Sequence, residues 1–154
     1  MRFVIFFTIA AAAMTCAGQT KPVAQVFSAR DVQSELVSLV QAAKTAGSSG
    51  AVLGNYPSHS VRLSVRTASG GAEAHAHYDD ILVVTQGSAT LITGGTIENA
   101  QIDSDGETKG KDIRNGQTRT IGKDDIVHIP AGTPHQLIIA PGGVFSSIVV
   151  KVKE

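Results

Sequence analysis

A single cysteine, Cys16, is all the thiol this sequence contains, so no internal disulfide can form and no disulfide framework supports the fold. An excess of charge of one sign is equally lacking, since 13 Lys and Arg balance 13 Asp and Glu. That balance offers nothing to attract nucleic acid or an anionic membrane surface, and neither is expected as a partner. Long hydrophobic runs are missing too. The one apolar stretch, Phe3 to Ala13 interrupted only by Thr8, falls well short of the about 20 residues of a membrane span.

That stretch has a different meaning. Arg2 precedes it and small residues follow through Ala17 and Gly18, which is the pattern of a secretory signal peptide. The expectation is export to the periplasm or the exterior, with residues 1–18 as signal. Cleavage there removes Cys16, and thiol catalysis with it. The rival reading makes Cys16 a lipoprotein anchor, but Thr15 is an unusual residue directly before such a cysteine. The remainder, 42% hydrophobic over the whole 154 residues, suffices for one domain with a real core. Residues 19–50 read as a linker and a helix, and 51–154 as the main domain.

In the segment SARDVQSELVSLVQAAKTAG, Ser28 is placed to cap a helix and Asp31 occupies N3. Val32, Leu36, Leu39, Val40 and Ala43 recur at helical spacing. A helix over about 29 to 45 follows, ended by GSSG at 47 to 50, with its stripe packed on the main domain. Beyond residue 51 the pattern changes to short Val-, Ile- and Thr-rich runs between Gly, Asn, Asp and Pro. In SVRLSVRT, Val61, Leu63 and Val65 share one face, taken as the inward one, and Arg62, Ser64 and Arg66 the other. Gly94 and Gly95 between two such runs predict a tight hairpin. Residues 103 to 116 read as a polar solvated loop; Asp103, Asp105 and Glu107 hint at calcium but lack the full ligand series of an EF-hand. About nine or ten strands without helical crossovers predict an all-β sandwich or barrel.

Potential ligands are crowded into AEAHAHYDD, where Glu73, His75 and His77 alternate ahead of Asp79 and Asp80. Side chains at i and i+2 of a strand leave from the same face, so neighbouring members of this series can converge on one ion. Far downstream, HIPAGTPHQL delivers His135 from a stiff turn, because Pro134 restricts Thr133 to extended backbone.

Together the two segments resemble the two motifs of the cupin family. GAEAHAHYDDILVVTQG matches the first, with six residues between Asp80 and Gly87, and DDIVHIPAGTPHQLII matches the second, with Pro130, Gly132 and His135 in register. The resemblance covers about residues 60 to 152 and implies a double-stranded β-helix, or jelly-roll, barrel holding a divalent transition metal (Fe, Mn, Zn or Ni) near one mouth. Three positions depart from the family pattern: Asp80 replaces Glu, Asp124 replaces Gly and Ile139 replaces Asn. The gap from His77 to Asp80 is also one or two residues short. The implied ligands are His75, His77, Asp80 and His135, with Glu73 as the alternative to His77 if the register reads E-x-H. Three imidazoles and one carboxylate form a common set for such a metal, which favours His77.

Four further residues are candidates to line the pocket. His128, one strand before His135, is a potential proton shuttle. Arg62 and Arg66 could clamp a carboxylate, though a solvated outer face suits them better if the valines point inward. Tyr78 adjoins the cluster, and His59 in NYPSHS is expected to be exposed. The reading is of an exported, metal-dependent enzyme on a small organic molecule, dioxygenase- or isomerase-like by resemblance. The alternative is a non-catalytic module that binds a sugar or organic acid. The resemblance makes a homodimer a further expectation, since small barrels often cover strand edges with a partner.

Overall fold

The computed structural model describes residues 23–154. The signal segment and Cys16 lie outside the described residues. Among the described residues one helix, α1 (Ala29–Ala46), precedes thirteen strands. They are β1 (Ser48–Asn55), β2 (His59–Arg66), β3 (Ala72–His75), β4 (Tyr78–Gln86), β5 (Ser88–Thr93), β6 (Thr96–Ile97) and β7 (Gln101–Ile102) in the first half. The second half holds β8 (Glu107–Gly110), β9 (Ile113–Arg114), β10 (Gln117–Gly122), β11 (Ile126–Ile129), β12 (His135–Ile138) and β13 (Phe145–Lys153). Among the described residues no helix is long and apolar enough to cross a membrane.

The strands form a five-stranded sheet, β1-β2-β13-β4-β11, facing a six-stranded sheet, β10-β5-β12-β3-β8-β7. All pairings are antiparallel. The interior at one end is a dry core in which Leu82 and Val84 of the first sheet meet Leu91, Ile121 and neighbouring residues of the second. This is the all-β double-sheet barrel with one N-terminal helix that the sequence predicts.

The helix begins as expected: the Ser28 hydroxyl accepts a hydrogen bond from the Asp31 amide at 3.2 Å, satisfying one of the free N–H groups of the first turn. At the other end Gly47 caps the helix as expected, and β1 begins at the very next residue, so GSSG ends the helix and runs directly into a strand. Leu36, Leu39 and Ala43 are buried against Leu63 and Val65 of β2. Two hydroxyls pin the helix further, Ser49 to the Leu39 carbonyl and Thr67 to the Ala43 carbonyl, both at 2.6 Å. The stripe therefore packs on the chain's own sheet.

This packing reverses one expectation. Leu63 and Val65 face α1 on the outside of the barrel, so Ser64 and Arg66 face the interior and Arg62, on the same side but exposed, lies at its open edge, where all three line cavities. Alternation along β2 holds, but the helix makes the outer face as apolar as a core.

Two other expectations are also corrected. Gly94 and Gly95 both have positive φ, 70° and 71°, yet they do not close a hairpin. β5 pairs with β10 and β12, and the two glycines divert the chain into a separate ribbon of β6 with β9. The stretch 103 to 116 is not a plain loop either, since β8 lies within it and pairs with β3. Its acidic start is a turn in which Asp103 Oδ1 accepts from the amides of Asp105 and Glu107, each at 3.0 Å.

The chain passes from one sheet to the other between β4 and β5 at Gly87, whose φ is 75°. A Cβ there would lie 1.9 Å from the Val144 carbonyl oxygen, whereas at Gly142, φ 74°, it would meet nothing within 4 Å. Gly142→Ala is expected to cost about 1–2 kcal/mol, the strain of a left-handed alanine. Gly87→Ala adds a backbone collision and is expected to cost clearly more in urea unfolding. Leu39→Ala is expected to cost about 2–4 kcal/mol by the same measurement, as a cavity between helix and sheet requires. A loss below about 0.5 kcal/mol, typical of surface sites, would show that α1 contributes little to the domain.

Candidate metal centre

β3 carries Ala72 and Ala74 into a small apolar cluster with Ile97, so alternation turns Glu73 and His75 to the opposite face, into the barrel. β12 pairs with β3 through one contact, His135 opposite Glu73. The turn before β12 is tied to the end of β3, because the Gly132 amide donates to the His75 carbonyl at 2.7 Å. Asp80 enters from the facing sheet on β4, where alternation points Asp80, Leu82 and Val84 inward. Two segments more than fifty positions apart thus meet between the two sheets.

The imidazoles are aimed by their far nitrogens. His135 Nδ1 lies 3.0 Å from the Thr133 carbonyl; a carbonyl only accepts, so Nδ1 carries the hydrogen and the neutral ring presents a bare Nε2. His75 Nδ1 hydrogen-bonds the Glu107 carboxylate. Both Nε2 atoms then point to the interior, 3.3 Å (His75) and 3.9 Å (His135) from Asp80 Oδ2. His135 Nε2 is 3.6 Å from Glu73 Oε1. Ligand atoms of Glu73, His75 and His135 all lie within 4.8 Å of one another. His75, Asp80 and His135 are buried, and Glu73 is partly exposed.

Lone pairs therefore face lone pairs, an arrangement that needs a proton or a cation between them. Part of the relief comes from within the chain: Lys151, cross-strand from Asp80 on β13, places Nζ 3.0 Å from Asp80 Oδ1. Alignment is poor, and that buried oxygen accepts no hydrogen bond. Burial disfavours charge on Asp80, but His75 and Lys151 outweigh it and hold its carboxyl below the ordinary value. Contact with His135 is the main cause of a lowered Glu73 pKa, against the opposing effect of burial. Burial also works against a proton on His75, yet Asp80 and Glu107 together raise its pKa above the usual value.

A divalent cation fits this set. Atoms about 2.0–2.2 Å from a shared metal stand roughly 3–3.6 Å apart; Glu73, His75 and His135 lie within 4.8 Å of one another, and Asp80, 3.3 Å and 3.9 Å from the two imidazoles, stands beside that group. Glu107 and the Thr133 carbonyl supply outer hydrogen bonds of the kind that would orient these histidines toward a metal.

The remaining candidates fall in different places. His77 occupies the exposed two-residue turn between β3 and β4. The strand ends at His75, so the same-face series stops there and Glu73 stands beside the two histidines. His128 is outside the barrel: alternation on β11 turns Ile129 inward and leaves the His128 side chain 57% exposed, with Nε2 2.7 Å from Asp79 Oδ2. Arg66 reaches 4.0 Å from Glu73. Arg62 and Tyr78 line the cavity mouth, where the Lys151 ammonium lies 5.7 Å from the Tyr78 ring centre. His59 is half-buried rather than exposed, stacked on Tyr56 with ring centres 4.7 Å apart. Sequence reasoning assigned Glu107 to a solvated loop and missed Lys151. Neither is near the histidines in the chain, and only the pairing of β8 with β3 and of β13 with β4 brings them in.

No family model matches this sequence, and no curated protein matches it closely enough to count as a relative. Solved structures do match in fold. The cupin domain of Cnp3 from Schizosaccharomyces pombe superposes with a TM-score of 0.53 at 13% identity, over 70% of this chain and 65% of that one. The polyketide cyclase RemF from Streptomyces resistomycificus gives 0.51 at 18%, over 70% and 66%. The DMSP lyase DddQ from Ruegeria pomeroyi gives 0.50 at 17%, over 68% of this chain but only 46% of the lyase. With two facing antiparallel sheets and a histidine and carboxylate cluster between them, this chain has the fold of these cupin structures.

Proposed function

We propose that this chain is an exported, metal-dependent enzyme acting on a small organic molecule, with Glu73, His75, Asp80 and His135 as the metal ligands. The observation that carries the reading is the convergence of two oriented Nε2 atoms and two carboxylates between the sheets. When bound, a metal would supply a Lewis acid to polarise a ligand oxygen, or an oxygen-activating centre if it is iron. The chain's own contribution is positional. Glu107 and Thr133 fix the imidazoles, Lys151 offsets charge at Asp80, and the apolar core closes the barrel behind the site. A cavity of about 420 Å³, lined by Arg62, Ser64, Glu73, His75, Asp80 and Lys151 among others, opens beside the cluster. That volume suits a small molecule. A lyase and a cyclase among the structures of like fold are consistent with catalysis here.

Export rests on the N-terminal pattern of Arg2 and the apolar run. A homodimer is consistent with the outer sheet face beyond α1, where Ile126 is 73% exposed.

Protein expressed with ample metal is expected to carry about one equivalent of a first-row transition metal, read by elemental analysis. His75→Ala and His135→Ala should lose it and His77→Ala should keep it; retention by His135→Ala would remove the basis of the reading. Glu107→Gln is expected to keep the fold and weaken metal affinity about 10–100-fold, measured by competition with a chelator. In a screen of organic acids, phenols and sugars, turnover by the wild type and none by His135→Ala would support an enzyme. Binding without turnover would instead indicate a ligand-holding module.

A further inference from the structure

We propose that the cavity selects a small organic anion, a monocarboxylate, whose charged end is received at the mouth by Arg62 and Lys151. The inference deepens the proposed function and rests on reading this cavity as the ligand site. It starts from the orientation of β2. Because α1 covers the apolar face, Ser64 and Arg66 are turned inward and Arg62, on the same side, lies at the open edge. Arg66 has Glu73 as a neighbour at 4.0 Å. Among the described residues Arg62 has no carboxylate within 4.0 Å, although it lines the same cavity as Glu73, His75 and Asp80.

The carboxylates that face the cavity are already engaged. Glu73 is held by His135 and Arg66, Asp80 by His75 and Lys151, and Glu107 by His75. The cations are not matched in the same way. Beside Arg62, the rim carries Lys109 and Lys153, and neither has an ion-pair partner among the described residues. Arg62, Lys109 and Lys153 thus gather at one mouth. Should a divalent ion neutralise Glu73 and Asp80, Lys151 too would lose its share of a counter-charge. An incoming anion supplies the missing partner, and a guanidinium fork pairs with a planar carboxylate through two hydrogen bonds. Glu73 and Glu107 line the same mouth and disfavour a second negative charge beside the one paired with Arg62.

The test uses the full chain, with and without metal, titrated with butyrate, its uncharged counterpart butyramide and inorganic phosphate while amide shifts are followed by NMR. Butyrate is expected to bind saturably in both forms, at least about tenfold more tightly than butyramide, as a hydrogen-bonded charge pair implies. Arg62→Gln should weaken butyrate about tenfold and leave butyramide unaffected, and Arg62→Lys should fall between. Metal content and the unfolding midpoint of each variant establish that the fold is intact. Equal binding of butyrate and butyramide, a preference for phosphate, or no effect of either Arg62 variant would overturn the inference. A chain that holds metal but shows any of these results keeps the proposed metal centre and loses its anion selectivity. A chain without metal that still discriminates through Arg62 keeps the anion site and loses the metal centre.

Discussion

Glu73 and His135 stand opposite one another on β3 and β12, and this single pairing decides what the interior of the barrel can do. It joins the first histidine segment to the second, sets the depth of His75 on the same face two residues on, and brings both imidazoles within reach of Asp80 from the opposing sheet. A slip of one residue would turn Glu73 and His75 toward the apolar cluster around Ile97 and bring Ala72 and Ala74 inward. The turn before β12 guards against that slip by hydrogen-bonding the His75 carbonyl.

Placing four potential ligands where a small barrel would otherwise have leucines has an energetic cost, because charge is unfavourable between two sheets. The protein meets it by position. The dry core of Leu82, Val84, Leu91, Ile121 and Phe145 fills one end, while the ligand cluster lies toward the end that opens to solvent through the cavity. Polar atoms that point away from the centre have partners of their own, notably His75 Nδ1 and His135 Nδ1. Unmet valence is thereby concentrated at one point, where binding can use it.

Much of this was legible in the sequence. The helix start was written in Ser28 and Asp31, and the spacings around His75, Asp80 and His135 brought the correct segments together. Other features were hidden for physical reasons. Alternation on β2 defines two faces but not which one is inside, and the helix that decides it lies outside the segment. His77 continues the i, i+2 series on paper, but the strand stops at His75. Glu107 sat in a stretch whose polarity suggested solvent, because a strand of four residues that pairs at long range leaves almost no periodic trace. The two glycines at 94 and 95 gave the turn conformation correctly and the pairing partner wrongly, since local dihedral preference carries no information about which strand lies alongside.

Lys151 gives the site a particular history. Because an ammonium group built into β13 already stands against Asp80, the scaffold does not need a foreign ion to offset that negative charge while its sheets assemble. An ion bound between the histidines would then join a shell in which Asp80 already has a counter-charge.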